Sequence, residues 1–320
     1  MKKREDTAFV SIQRWDRRGK RFNRSLRRVW LWVSAALLGC LSVGYSQAGT
    51  LAQFRFEGLG DVHVELFDNE KPITVANFLN LTRSGAYRFT FAHRLVPGFV
   101  IQGGGFRVEN PNSDEIIGPA WENVGSVPHL GPIKNEYGFG QTYSNVFGTI
   151  AMAKLGGDPD SATSQWFFNL NDNASILDNQ NGGFTVFGRV IGSGQEVLRQ
   201  FNGLGLGRNM VNLQTIYGAE EALASVFREL PTFKVGLEAP PYNQLIYVTV
   251  TIAELLARFN DAGEREILWN SAGGITNTIE FAGSLGGPWE VLGEVEGTGR
   301  VMNLVDPSQE NRFYRLTFAL

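Results

Sequence analysis

Apolar and polar positions begin to alternate with a period of two soon after residue 50. Val62, Val64 and Leu66 alternate with His63 and Glu65, the pattern of a half-buried strand. Pro72 then suits the first turn of a helix, and Val75, Phe78, Leu79 and Thr82 fall on one helical face before Gly85 stops it. Phe89 to Phe106 reads as a strand, a tight turn at Pro97-Gly98 and a second strand. Residues 107–146 are rich in Asn, Pro, Gly and Ser and predict a long loop region. Residues 148–190 alternate short strands with Gly/Asn/Asp turns, and Gln195–Phe201 predicts a second short helix with Val197, Leu198 and Phe201 facing inward. Leu245–Ile252 has the β-branched and aromatic character of a closing strand. Residues 253–264 read as a connector. Segments 265–270, 275–281, 289–294 and 312–319 read as short strands, with Trp269, Trp289, Phe313 and Tyr314 as a small core.

The stretch 89–106 stands out chemically. Arg94 is the one arginine in a largely apolar segment, and its charge is costly to bury without partners. Gln102 comes just before Gly103-Gly104-Gly105, where glycine permits backbone conformations and approaches that bulkier residues forbid. A cationic fork and an amide beside exposed aromatic surface are the makings of a shallow binding site.

These residues carry a resemblance. His93-Arg94-Leu95-Val96-Pro97-Gly98-Phe99-Val100-Ile101-Gln102-Gly103-Gly104 resembles the signature of cyclophilin-type peptidyl-prolyl cis-trans isomerases. Two further blocks agree in order: Phe147–Ala153 running on through Asp160–Asn169, and Gly183–Val190. The resemblance covers roughly residues 50 to 253. It implies a mainly β fold, a closed antiparallel β-barrel with two capping helices, over residues 49–253. Residues 202–244 do not fit the family's compact ending and read as an insertion. Residues 254–264 would then be a linker, and 265–320 a small all-β module similar to those appended to exported bacterial proteins.

The resemblance also implies roles. Arg94 would be the guanidinium that favours the twisted prolyl amide, with Phe99 and Gln102 beside it as the catalytic group. Gln102 would bond the substrate backbone and help orient Arg94. Phe99, Val100, Phe167 and Leu177 would form the pocket for the proline ring. Ala153, Lys154 and Gln165 would flank the adjacent groove, Lys154 mainly through its backbone. Ile176 and Phe184, which stand where many members have tryptophan and histidine, would also bind the substrate, and Val100 stands where methionine is frequent. Trp166 would be core. The reaction needs no cofactor and no metal, and the partners are Pro-containing polypeptides. A non-catalytic reading remains beside this one: a groove that only holds Pro-peptides, which a loop 107–146 lying over it would favour. An envelope-anchored structural protein is a third.

Charge and the N-terminus add a location. Of the net charge of −3, residues 1–28 carry +8, so the remaining 292 residues carry −11. An acidic body with its basic charge confined to one end argues against nucleic acid. Val29–Val43 is a mostly apolar run of 15 residues, short for a membrane span of about 20. A basic region, a short apolar run and small residues at Ser46 and Ala48 make the layout of a secretory signal, which predicts export to the periplasm or envelope. Arg27-Arg28 loosely matches a twin-arginine signal, and Leu37-Leu38-Gly39-Cys40 a lipobox. Membrane association through residues 29–43 or a lipidated Cys40 therefore stays open. Cys40 is the one cysteine, so there is no internal disulfide, and three histidines without a nearby Cys or carboxylate cluster argue against zinc.

Overall fold

The computed structural model describes residues 50–205, 209–218, 220, 222–271, 274, 276–284, 287–298 and 300–318. The expectations for residues 1–48, including the 29–43 run and Cys40, lie outside them.

The predicted alternation produces β1 (Leu51–Phe56) and β2 (Gly60–Leu66). Helix α1 (Pro72–Arg83) follows, with Pro72 in its first turn and Val75, Phe78 and Leu79 buried. Its first turn is capped from outside the helix. The Glu136 carboxylate accepts from the N–H groups of Ile73 (3.1 Å) and Thr74 (2.7 Å), donors that a helix start otherwise leaves unsatisfied. Lys71, fully buried, donates to the carbonyls of Glu136 (2.7 Å) and Phe139 (2.6 Å). The stretch 89–106 becomes β3 (Thr90–Phe91), β4 (Arg94–Val96), β5 (Val100–Gly103) and β6 (Phe106–Val108). Then come β7 (Val124–Ser126), β8 (Thr149–Met152), β9 (Trp166–Asn169), α2 (Ala174–Leu177), β10 (Val186–Ile191) and α3 (Gly194–Phe201). Val197, Leu198 and Phe201 of α3 face inward, as their spacing predicts.

The segment 202–244 holds β11 (Met210–Val211), α4 (Leu213–Tyr217), α5 (Ala222–Val226) and β12 (Leu230–Pro231). The chain then returns to the main sheet as β13 (Tyr247–Ile252). The sheet has eleven strands in the order β4-β5-β9-β8-β10-β2-β1-β13-β3-β6-β7. The expected closed barrel is a curled sheet whose hydrogen-bonded order is open. β4 begins that order and β3 stands near its far end. The chain itself joins them through Ala92-His93, where the strand bends away from β13 and towards β5.

One large core fills the inside of the curl. Phe54, Phe56, Phe78, Trp166, Phe168 and Phe201 are all fully buried in it, and Trp166 meets Phe54 and Phe168 edge to face. The 202–244 segment has a second core, where Val211, Leu213, Phe227 and Leu230 pack on Phe91, Phe106, Ile117 and Trp121. Residues 115–117 are tied to this segment by the bonds from Ile117 N–H to the Pro240 carbonyl and from Tyr242 N–H to the Glu115 carbonyl. That part of the long loop leans on the 202–244 segment.

The C-terminal part is a sandwich of two three-stranded sheets. One is β14 (Leu255–Phe259), β15 (Arg265–Asn270) and β18 (Val301–Asp306). The other is β17 (Glu290–Glu296), β16 (Thr276–Ala282) and β19 (Phe313–Phe318). Residues 254–264 are therefore not a bare connector: Leu255 and Ala257 turn into the sandwich core, which makes that stretch a strand. β18 was also absent from the expected strands. The sandwich core of Ile267, Trp269, Ile279, Tyr314 and Leu316 continues into Leu51, Ile191 and Ala253 of the main body. Among the described residues no helix is long and apolar enough to cross a membrane.

Candidate functional site

Residues directly opposite each other in antiparallel strands share a face, and neighbours along a strand take opposite faces. The register therefore sorts this sheet into rows. Arg94 is opposite Gln102, Gln102 opposite Phe167, Phe167 opposite Ala151, and Ala151 opposite Val186. The next row along is Leu95, Ile101, Phe168 and Ile150, all fully buried in the main core. So the first row lies on the outside of the curl, with the two polar residues at one end and the apolar ones at the other.

The apolar end is a small cluster of its own. Val100, Ala151, Phe167, Leu177, Val186 and Phe67 are buried together, with Phe99, Ala153, Phe184 and Tyr143 half-buried around them. Six residues expected at the site, Phe99, Val100, Ala153, Phe167, Leu177 and Phe184, are thus one cluster. Phe184 meets Phe167 edge to face at 5.8 Å, and Tyr143 stacks on Phe67 at 4.1 Å. Ile176 is not part of it: its side chain is 48% exposed on α2 while its neighbour Leu177 turns in.

Loops, not strands, carry Phe99 and Phe184, and an amide network holds both. Asn173 Nδ2 donates to the Phe99 carbonyl (2.8 Å) and to Asn169 Oδ1 (2.8 Å). Asn169 Nδ2 donates to Asn145 Oδ1 (3.2 Å), and Asn145 Nδ2 to Asp178 Oδ1 (2.8 Å) and the Phe184 carbonyl (3.0 Å). Asn202 Oδ1 accepts from Gly98 N–H at 2.7 Å, which fixes the turn before Phe99. Sequence reasoning did not assign Asn145, Asn169, Asn173 or Asp178 a part here. The one available signal was the density of Asn and Asp in 169–178, which equally suits any turn.

At the polar end Gln102 Nε2 donates to Gln165 Oε1 at 2.6 Å. His93, next to Arg94 in the chain, is buried, and burial pushes its imidazole down to about 3. His93 is therefore neutral at ordinary pH. Arg94 takes a partner the sequence did not suggest. Its Nε donates to Glu229 Oε2 at 2.7 Å, with both side chains about one-third exposed. Gln102, expected to help orient Arg94, spends its amide on Gln165 instead. The three glycines make room for this end. A Cβ on Gly103 would lie 2.5 Å from the Trp166 ring, and Gly104 has φ +72 with the Ser164 carbonyl 2.7 Å from its would-be Cβ.

Lys154 does not act through its backbone alone. Its Nζ donates to the carbonyls of Asn181 and Gly183, both at 2.7 Å, and lies 4.6 Å from the Phe184 ring centre. Burial pushes this amine down to about 8, partly countered by Asp160 and Asp158. The side chain thus braces the 181–184 loop. No group of three metal-ligating side chains occurs among the described residues. A guanidinium about one-third exposed and an amide beside an apolar recess can bind a small ring and donate to a group next to it.

The chain is similar to known proteins. The profile of the family described as cyclophilin type peptidyl-prolyl cis-trans isomerase/CLD matches residues 51–220. That match stops inside the 202–244 segment, before β13. A peptidyl-prolyl cis-trans isomerase of Acinetobacter baylyi is 36% identical over 160 residues, 50% of this chain and 76% of the relative. Peptidyl-prolyl cis-trans isomerase B of Escherichia coli is 36% identical over 154 residues, 47% of this chain and 83% of that protein. A crystal structure of a Cryptosporidium parvum cyclophilin type isomerase, obtained in the presence of the dipeptide Ala-Pro, aligns with 20% identity and a TM-score of 0.40. The alignment covers 63% of this chain and 98% of that one.

Proposed function

The chain belongs to the cyclophilin-type peptidyl-prolyl cis-trans isomerase family, and from that premise we propose that it speeds rotation about X–Pro bonds with Arg94 as the acting cation. The X–Pro amide is a partial double bond that turns over in tens to hundreds of seconds unaided. No proton transfer and no nucleophile are needed. Twisting the amide localises a lone pair on the prolyl nitrogen. A guanidinium aimed at that nitrogen is bonded better in the twisted state than in the planar one, and that difference is catalysis. A gain of about 10⁵-fold corresponds to roughly 7 kcal/mol.

In this reading the Phe99, Val100, Phe167 and Leu177 recess holds the proline ring. Gln102, steadied by Gln165, meets the substrate backbone. Ala153, Phe184 and the Lys154-braced loop form the adjoining wall of the groove, and Ile176 stands outside it. The observation that carries the proposal is the outer row itself, which sets Arg94 two strands from Phe167 with Gln102 between them. The binding-only alternative is less favoured because Arg94 stays about one-third exposed, although Tyr143 of the long loop does pack on the recess. We place the substrates among exported proteins, on the basic, apolar, small-residue order of residues 1–48.

A protease-coupled isomerisation assay on a short X-Pro peptide tests the reading with the full chain. The parent should abolish most of the slow phase. Arg94→Ala should lose about 100-fold in kcat/KM, the scale of removing one electrostatic donor. A parent that binds the peptide but does not accelerate it would leave the groove as a docking surface.

A further inference from the structure

Arg94 is tied to a residue 135 positions later in the chain, inside the segment that interrupts the family pattern. The tie is built rather than incidental. Glu229 lies alongside β4, the first strand of the sheet order, and its carbonyl accepts from Leu95 N–H at 2.8 Å. On one side of it Phe227 is buried in the insertion core. On the other side Leu230 and Pro231 pair with Val211 and Met210, and Thr232 N–H donates to the Asn209 carbonyl at 2.8 Å. The backbone that presents the carboxylate is therefore anchored in both directions. Exposed ion pairs between two free side chains contribute little because both must be immobilised. Here one partner is already held.

The atom engaged also matters. Glu229 takes the Nε–H of Arg94, the donor nearest the stem. The two terminal nitrogens have no bond to protein among the described residues. A guanidinium is planar, so fixing Nε fixes the plane in which the remaining donors point. A carboxylate there gives a charge-assisted bond, stronger and more directional than an amide would supply. Gln102, the other polar neighbour, is engaged with Gln165 and leaves this task open.

We infer that Glu229 is a positioning residue for Arg94: the insertion carries a carboxylate into the site to set the guanidinium plane and leave its terminal nitrogens for the prolyl amide. This rests on the reading of Arg94 as the acting cation. Because orientation matters most where the amide is twisted, its loss falls on kcat rather than KM.

The test uses the full chain and the same X-Pro peptide. Glu229→Ala should lower kcat about tenfold with KM within about twofold, and Glu229→Gln, which keeps an acceptor at the same reach, should recover part of the loss. In an Arg94→Ala background, with the residual rate read at high protein concentration, Glu229→Ala should change nothing further, since coupled residues are not additive. Nitrogen-15 spectra add a direct readout: a protected Arg94 Nε–H resonance in the parent that is lost in Glu229→Ala, with the melting temperature unchanged. If Glu229→Ala is as fast as the parent or faster while Arg94→Ala is slow, the inference fails alone. It also fails if Glu229→Ala costs the same with and without Arg94, which would mark a merely structural role. If Arg94→Ala keeps the parent's rate, the arginine reading fails and the inference goes with it.

Discussion

Leu95, Ile101, Phe168 and Ile150 line up across β4, β5, β9 and β8 on the inner side of the sheet, and Arg94, Gln102, Phe167 and Ala151 line up one residue away on the outer side. The strands, hydrogen bonds and twist are shared; only the parity of position differs. The inner row is fully buried, and its Phe168 meets the rings of Phe54 and Phe56 on β1 and Trp166 on β9, so its side chains are chosen for volume. The outer row is only half-buried at its polar end, so Arg94 keeps its terminal nitrogens, and Gln102 the part of its amide not used by Gln165, for a guest. The comparison teaches that stability and activity are separable here by single-residue steps along one strand.

Three measurements would break or sharpen that separation. Phe168→Ala should have the largest effect, a loss of about 3–5 kcal/mol in urea unfolding, because it empties a fully buried site touching Phe54 and Trp166. A cost below about 1 kcal/mol would mean that the inner row is not the structural one. Acid comes next. Burial holds the His93 imidazole down to about 3, well below its ordinary 6.5, so the folded state refuses a proton that the unfolded chain accepts. That stability is fully present above pH 6.5 and is lost as pH falls through the range down to about 3. Between pH 7 and pH 4 the parent should shed on the order of 3 kcal/mol more than His93→Gln. His63 is also buried and pushed down, so only the difference between parent and variant isolates His93. Smallest in stability is Gln102→Ala, on the outer row. It should cost less than about 1 kcal/mol of folding free energy while lowering kcat/KM about tenfold, as one substrate-facing hydrogen bond is lost. Equal fractional losses in both would erase the distinction between the rows.

Much of this was legible before any coordinates. Period-two alternation marked β1 and β2, β-branched and aromatic character marked β13, and the helical spacing of Val75, Phe78 and Leu79 marked α1, because each reports on one element. The three glycines signalled a close approach, which proves to be Trp166 and Ser164. What failed to show was non-local. Glu229 has no pattern of its own, and its meaning comes wholly from lying beside β4. The Asn145, Asn169, Asn173 and Asp178 network is written in residues that any loop could use. β14 and β18 escaped because their outward positions, Leu256, Val301 and Val305, are apolar and exposed, which blurs the alternation. Ile176 was assigned to the pocket by family position, but on a single-turn helix one step of the chain turns a side chain from recess to solvent.

The shared core at the far end of the molecule bears on how this protein can be cut. Leu51 opens the first strand and Ala253 follows the last, and both, with Ile191, are buried against Trp269, Ile279 and their neighbours. The sandwich is thus not a bead on a string but a lid over the seam where the main sheet starts and finishes. Severing the chain after residue 253 would lay three apolar side chains open to water at once, inviting self-association. A fragment trimmed to the family-like region would then report on its own stickiness as much as on its catalysis.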